Sequence, residues 1–230
     1  MQNSMEYGKA FTYPTQESDW IKKVLIGAAV NIIPLFGSIL LAGYALEVTR
    51  RVIDGKAQVL PEWADFGGLF KKGLYAFVVG FVYALPVIVL AVCVAVPAAV
   101  MGGQDDQTIQ TAGAIISSCF GCLIALYAIA LGLVLPAAFA KLAATGEMDA
   151  AFRVGEVVAL VRAKPGAYVI VWLLSGLAAV LLSSIGTVAC GIGALVGAAY
   201  AMLVSAHLHG QAYRIATGQG GVTPDAPAAA

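Results

Sequence analysis

The sequence predicts an all-α fold. It reads as a polytopic transmembrane helix bundle of four full spans plus an N-terminal re-entrant hairpin, or a fifth span in the hairpin's place. Three observations lead there. Of 230 residues, 60% are apolar and 11% charged, whereas soluble domains carry about 25% charged residues because solvated surface needs them. No Asp, Glu, Lys or Arg occurs within residues 24–46, 73–104, 107–140 or 165–213. The 13 basic residues are confined to four segments. A formal net charge of zero gives no basic footprint for nucleic acid, so none is expected as a partner; the lipid bilayer is.

A span needs about 20 mostly apolar residues to cross a ~30 Å hydrocarbon core. Residues 73–104 and 107–140 each fit one long helix. Residues 165–213 fit two helices, with a turn expected at Ser183, Ser184, Ile185 and Gly186. Pro86, Pro97 and Pro136 fall inside these helices, where a missing N–H favours a kink. Basic residues mark the N-terminal segment (Lys9, Lys22, Lys23) and the first long connection (Arg50, Arg51, Lys56, Lys71, Lys72). They also mark the second (Lys141, Arg153, Arg162, Lys164) and the tail (Arg214). The connection at 101–112 carries only Asp105 and Asp106. The positive-inside rule then places both termini in the cytoplasm.

That orientation constrains residues 24–46. If Lys22-Lys23 and Arg50-Arg51 lie on one side, the segment enters and leaves from that side. Pro34 and Gly37 supply a break, and each arm of about 12 residues makes only ~18 Å of helix. Irregular backbone at that depth must be covered by protein. The alternative is a single span with the N-terminus outside.

Three lead-ins resemble one another, at Trp20–Gly27, Leu69–Ala76 and Val161–Tyr168, and so do three exits, each a basic residue followed by Gly (Arg51 to Gly55, Lys141 to Gly146, Arg214 to Gly218). A cation suits the negative end of the helix dipole, and Gly suits a left-handed cap. The pattern reads as a threefold parallel repeat of hairpin units, about 20–55, 56–146 and 147–218. Residues 1–19 form a polar N-terminal segment, 20–218 a single membrane domain, and 219–230 a disordered tail. Two cytoplasmic amphipathic helices are expected between units. One covers residues 148–163, with Val154, Val158 and Val161 on its apolar face. The other begins at Pro61, with Trp63, Phe66 and Phe70 on one side and Trp63 at the interface. The first 20 residues lack the short apolar region of a cleavable signal peptide.

No catalytic, cofactor-binding or metal-binding residue is assigned, and no enzyme activity is expected. His207 and His209 are the only histidines. They point about 200° apart on a helix, as expected of a helix end among headgroups. Cys119 and Cys122 share a helix face with Ser118 and Gly121, which suits helix approach better than a metal site. Cys93 and Cys190 also sit in apolar stretches, ordinary for small buried thiols. Asn31 is the polar amide placed well inside an apolar segment, where it would bond backbone freed at the break or, functionally, coordinate a substrate or ion. Among titratable groups, Glu156 with Arg153 and His207 is the single combination to consider. Gly193 and Gly197 lie on a smooth face of the last helix. That face suits packing within the chain, or a membrane-protein partner or homo-oligomer.

Several motifs are more specific. Asp19-Trp20-Ile21-Lys22-Lys23 is followed by Ile33-Pro34, Gly43-Tyr44, Arg50 to Gly55, Leu60-Pro61-Glu62-Trp63 and Tyr83 to Pro86. Together these resemble the prokaryotic membrane family catalogued as domain of unknown function 4013, over about residues 19–218. The resemblance implies a multi-pass protein of a prokaryotic inner membrane and carries no activity or catalytic residues to transfer. The second connection lacks the Leu-Pro-Glu-Trp element. The function this leaves is a non-enzymatic membrane subunit or scaffold working through a partner or self-association, with a small transporter or channel-like protein, using a site near Asn31 and Pro34, as the alternative.

Overall fold

A computed structural model of the chain describes residues 5–101, 106–188 and 192–219. Among these residues the secondary structure is helical, with no strand. In chain order the α-helices are α1 (Tyr7–Thr12), α2 (Trp20–Val30), α3 (Phe36–Ile53), α4 (Phe66–Met101), α5 (Gln107–Thr145), α6 (Met148–Phe152), α7 (Val154–Ala163), α8 (Pro165–Val188) and α9 (Ile192–Ala216), with a short 3-10 turn at Pro14–Gln16. Three of them, α4, α5 and residues Pro165–Ser184 of α8, are long and apolar enough to cross a bilayer.

The centre of the bundle is α9. One face, with Ala199, Leu203 and Ala206, joins a core with Val24, Leu40, Tyr44, Val48 and Leu60. Another, with Ala201, Val204, Leu208 and Ala212, joins a core with Ala137, Leu142, Val157 and Tyr168. A helix of small and aliphatic residues on two faces can be covered from both sides, and that lets α9 lie between α2 and α3 on one flank and α5, α7 and α8 on the other.

Glycines set the closest crossings. A Cβ on Gly43 would overlap the Leu69 carbonyl oxygen of α4, and one on Gly73 would overlap the Ile39 carbonyl oxygen of α3. The backbones of α3 and α4 therefore touch where the two glycines meet. Gly197 lies against the Leu182 carbonyl of α8, within the chain. Small residues permit this approach, which dispersion then rewards.

The three basic-then-Gly exits end as expected. Gly55, Gly146 and Gly218 adopt φ of 68°, 74° and 76°. The Gly146 N–H donates to the Leu142 carbonyl at 2.8 Å, and that of Lys56 to Arg51 at 3.0 Å. Left-handed backbone costs glycine nothing, and the bonds satisfy carbonyls the helix leaves open.

Other expectations are corrected. No helix begins at Pro61: Asp65 precedes α4, its carboxylate accepting from the Gly68 N–H at 2.8 Å, and residues 61–65 are irregular. Trp63 is buried, stacked on Tyr44 with ring centroids 4.3 Å apart. The helix expected over 148–163 breaks at Arg153 (φ −72°, ψ 73°) into α6 and α7. Arg153 bonds back to Asp149 at 3.0 Å, and α7 buries Val157 while Val154 stays exposed. Residues 183–186 are helical, since α8 continues to Val188. Neither serine interrupts the run of helical backbone bonds, so the apolar helix carries on past them. Cys190, Asp105 and the tail beyond residue 219 lie outside the described residues.

Candidate functional site

The densest polar cluster gathers around Leu60-Pro61-Glu62-Trp63. This segment is not helical, so its backbone groups need other partners. The Leu60 N–H donates to Glu17 Oε1 at 2.8 Å. The Leu60 carbonyl accepts from Lys23 Nζ at 3.1 Å and Arg51 Nη1 at 3.3 Å. The Pro61 carbonyl accepts from Tyr44 Oη at 2.8 Å. The Trp63 indole N–H donates to the Lys23 carbonyl at 2.9 Å. Three separate pieces of chain, the turn at Glu17, α2 and α3, thus hold one tetrapeptide.

Charge reinforces these contacts. Lys23 pairs with Glu17 at 3.1 Å and Glu62 at 2.8 Å, its side chain 3% exposed. Burial by itself would lower the Lys23 ammonium, but its hydrogen bonds to Glu62 and Glu17 outweigh that and hold it above its ordinary value. The same bond from Lys23 holds the Glu62 carboxyl below the ordinary range. Beside it, Glu47 accepts from Arg51 at 3.3 Å and Lys72 at 2.5 Å. Buried charges persist only when paired and hydrogen-bonded, and Lys23 and Glu47, 3% and 16% exposed, are both so held.

A second cluster joins Lys141 of α5 to Glu156 of α7, with Arg153 at 3.7 Å from Glu156. The hydrogen bond from Lys141 holds the Glu156 carboxyl low. His207 does not complete this group. Its ring is buried, stacked on Tyr13 with centroids 4.4 Å apart, and its Nδ1 lies 3.1 Å from Gln211 Nε2. This corrects the expectation of a histidine among headgroups, because residues 5–16 fold back over α9. Tyr13 Oη donates to the Leu203 carbonyl at 3.0 Å and Tyr200 Oη to the Phe11 carbonyl at 2.5 Å. Glu6 and Gln211 exchange hydrogen bonds at 3.0 and 3.2 Å. The signal for this strap was the run of Tyr and Phe at Tyr7, Phe11 and Tyr13, unusual in a polar segment.

Asn31 sits at the break between α2 and α3, its Oδ1 accepting from Ser38 Oγ at 3.3 Å. Leu35 takes φ 65°, ψ −59° there, a region costly to a residue with a Cβ. Cys93, Cys119 and Cys122 are free and exposed on the outer faces of α4 and α5, so the two α5 thiols do not serve packing within this chain. Among the described residues no group of three or more His, Cys, Asp or Glu could hold a metal ion.

The fold and this site define the class: an all-helical membrane protein whose polar cluster clamps irregular backbone against the bundle. The model of the family described as protein of unknown function (DUF4013) matches residues 26–206, and the chain belongs to that family. No curated protein and no solved structure matches it.

Proposed function

We propose that this chain is a non-enzymatic integral membrane subunit or scaffold that works through a partner or by self-association. The observation that carries the reading is how the charged side chains are used. Glu17, Lys23, Glu47, Arg51, Glu62 and Lys72 bind one another and the backbone of Gln58 and Leu60. They hold architecture together. Meanwhile the outer parts of α4 and α5 leave Val92, Val96, Val100, Ile115 and Leu126 uncovered. That surface is open to lipid or to a partner's helices. The test is recovery of tagged full-length protein in a mild detergent, with mass spectrometry of what stays bound. A stoichiometric protein partner or a homo-oligomer is expected, and a clean monomer sinks the reading.

In the same reading α9, 25 residues and about 38 Å long, is the fourth span. Helices α2 and α3 enter and leave from the cytoplasmic side of a prokaryotic inner membrane, and the three units run parallel. Support comes from the turn at residues 31–35, the 11-residue length of α2, the charge rule and the three matching left-handed glycines. Single cysteines at 16 and 103 in a cysteine-free background test it, since Gln16 is exposed and precedes the segment. An impermeant maleimide applied from outside should label 103 and spare 16. Labelling of 16 puts the N-terminus outside and turns residues 24–46 into a span.

A second reading, a small transporter, is favoured by the broken backbone beside Asn31, since such breaks form binding sites in transport folds. Asn31→Ala should then abolish transport while leaving the melting temperature unchanged. In a scaffold it leaves partner recovery intact.

A further inference from the structure

Adjacent lysines of α2 have opposite fates. Lys23 is enclosed by Glu17, Glu62 and the Leu60 carbonyl. Lys22 is exposed and makes no ion pair among the described residues. It stands at one end of an open trough of about 580 Å³ that also takes in Asp19, Ile21, Leu25 and Ala29. The last three recur every fourth residue, so they form one stripe. Ile21 and Leu25 remain 55% and 51% exposed. Beyond Ala29 the uncovered apolar surface continues into the turn, where Ile32, Ile33, Leu35 and Phe36 are all exposed. The surface is therefore sorted: two opposite charges at one end, then the apolar side chains of Ile21, Leu25 and Ala29 leading toward the turn.

We propose that this trough is a phospholipid site selective for a phosphoethanolamine headgroup. The lipid phosphate takes the Lys22 ammonium, the lipid amine donates to the Asp19 carboxylate, and one acyl chain lies along Ile21, Leu25 and Ala29 toward the turn. The presence of both charges at one end decides the chemistry. A phosphoglycerol lipid has a phosphate for Lys22 but leaves Asp19 facing net negative charge. A phosphocholine lipid carries the right charges but has no N–H to donate to the carboxylate. The site needs the bilayer and does not depend on whether a protein partner exists.

Native mass spectrometry of delipidated full-length protein, given equal amounts of phosphatidylethanolamine, phosphatidylcholine and phosphatidylglycerol, tests it. One retained phosphatidylethanolamine is expected, with the other two held several-fold less. Lys22→Gln should cut its retention about fivefold, the worth of one cation at a lipid surface. Asp19→Asn should erase the preference over phosphatidylglycerol. Leu25→Trp fills the trough from an exposed position and should abolish retention with the helical circular dichroism unchanged. Equal retention of the three lipids, or undiminished retention in Leu25→Trp, overturns the proposal. So does a dimer that Leu25→Trp dissociates without loss of lipid, which assigns the trough to a second copy. Partner recovery in these variants reads the scaffold function separately.

Discussion

The two ends of the α4–α5 pair are made of similar residues and behave differently. Near the charged segments, α4 buries Leu69, Gly73, Ala76 and Val79, and α5 buries Pro136, Ala137, Ala138, Ala140, Lys141, Leu142 and Ala143. Between Val79 and Pro136, Gly113 is the single buried position among the described residues. Both ends are apolar, so hydropathy does not separate them. What separates them is the company of other elements: α3, α6 and α7 reach the first end, tied there by Lys72–Glu47, Tyr83–Ala151 and Lys141–Glu156. Further out, Tyr127 Oη donates to the Tyr83 carbonyl within the α4–α5 pair itself. Polar bonds place the neighbours, and burial follows from where the neighbours are.

The glycines sharpen this contrast most. Gly43→Leu drives a side chain into the backbone of α4, and the helices must separate. Overpacking of this kind costs about 3 kcal/mol or more, so the variant should appear as aggregate in size-exclusion chromatography. Lys23→Met comes next. It leaves Glu17 without its cation and the Leu60 carbonyl with Arg51 alone, a loss of about 2 kcal/mol, visible as a lower thermal midpoint. Lys22→Met, one residue away and exposed, should leave the midpoint unchanged.

Acid should act on the same cluster with a definite sign. The Glu62 carboxyl lies below its ordinary value in the folded protein. Its stabilising contribution is therefore present above the unfolded value of about 4.3. It is lost as pH falls through the lower folded value. Melting curves from pH 7 to pH 3 should show this decline, and Glu62→Gln should flatten it. The smallest effect belongs to the outer end. A methyl added at Gly121 meets nothing within 4 Å, so Gly121→Ala should raise the midpoint slightly, by up to about 1 kcal/mol of helix propensity. A large loss there would show that the outer end is packed against something, and the contrast would fail.

By itself the sequence determined the helical class, the long apolar segments, the break near Pro34 and the glycine-capped exits. Each of these rests on local chemistry: uninterrupted hydrocarbon, a missing N–H, a left-handed backbone. It also pointed to Leu60-Pro61-Glu62-Trp63 as distinctive, but read the segment as the start of a helix. Only the tertiary structure decided that Glu17, Lys23, Tyr44 and Arg51 converge on it from sequence distances of up to 43 residues. Likewise, nothing local to His207 announces Tyr13 as its neighbour. Hydrogen-bond partners brought together from distant segments leave no periodicity for a sequence to display, because their spacing is set by how whole helices pack and not by any turn of one of them.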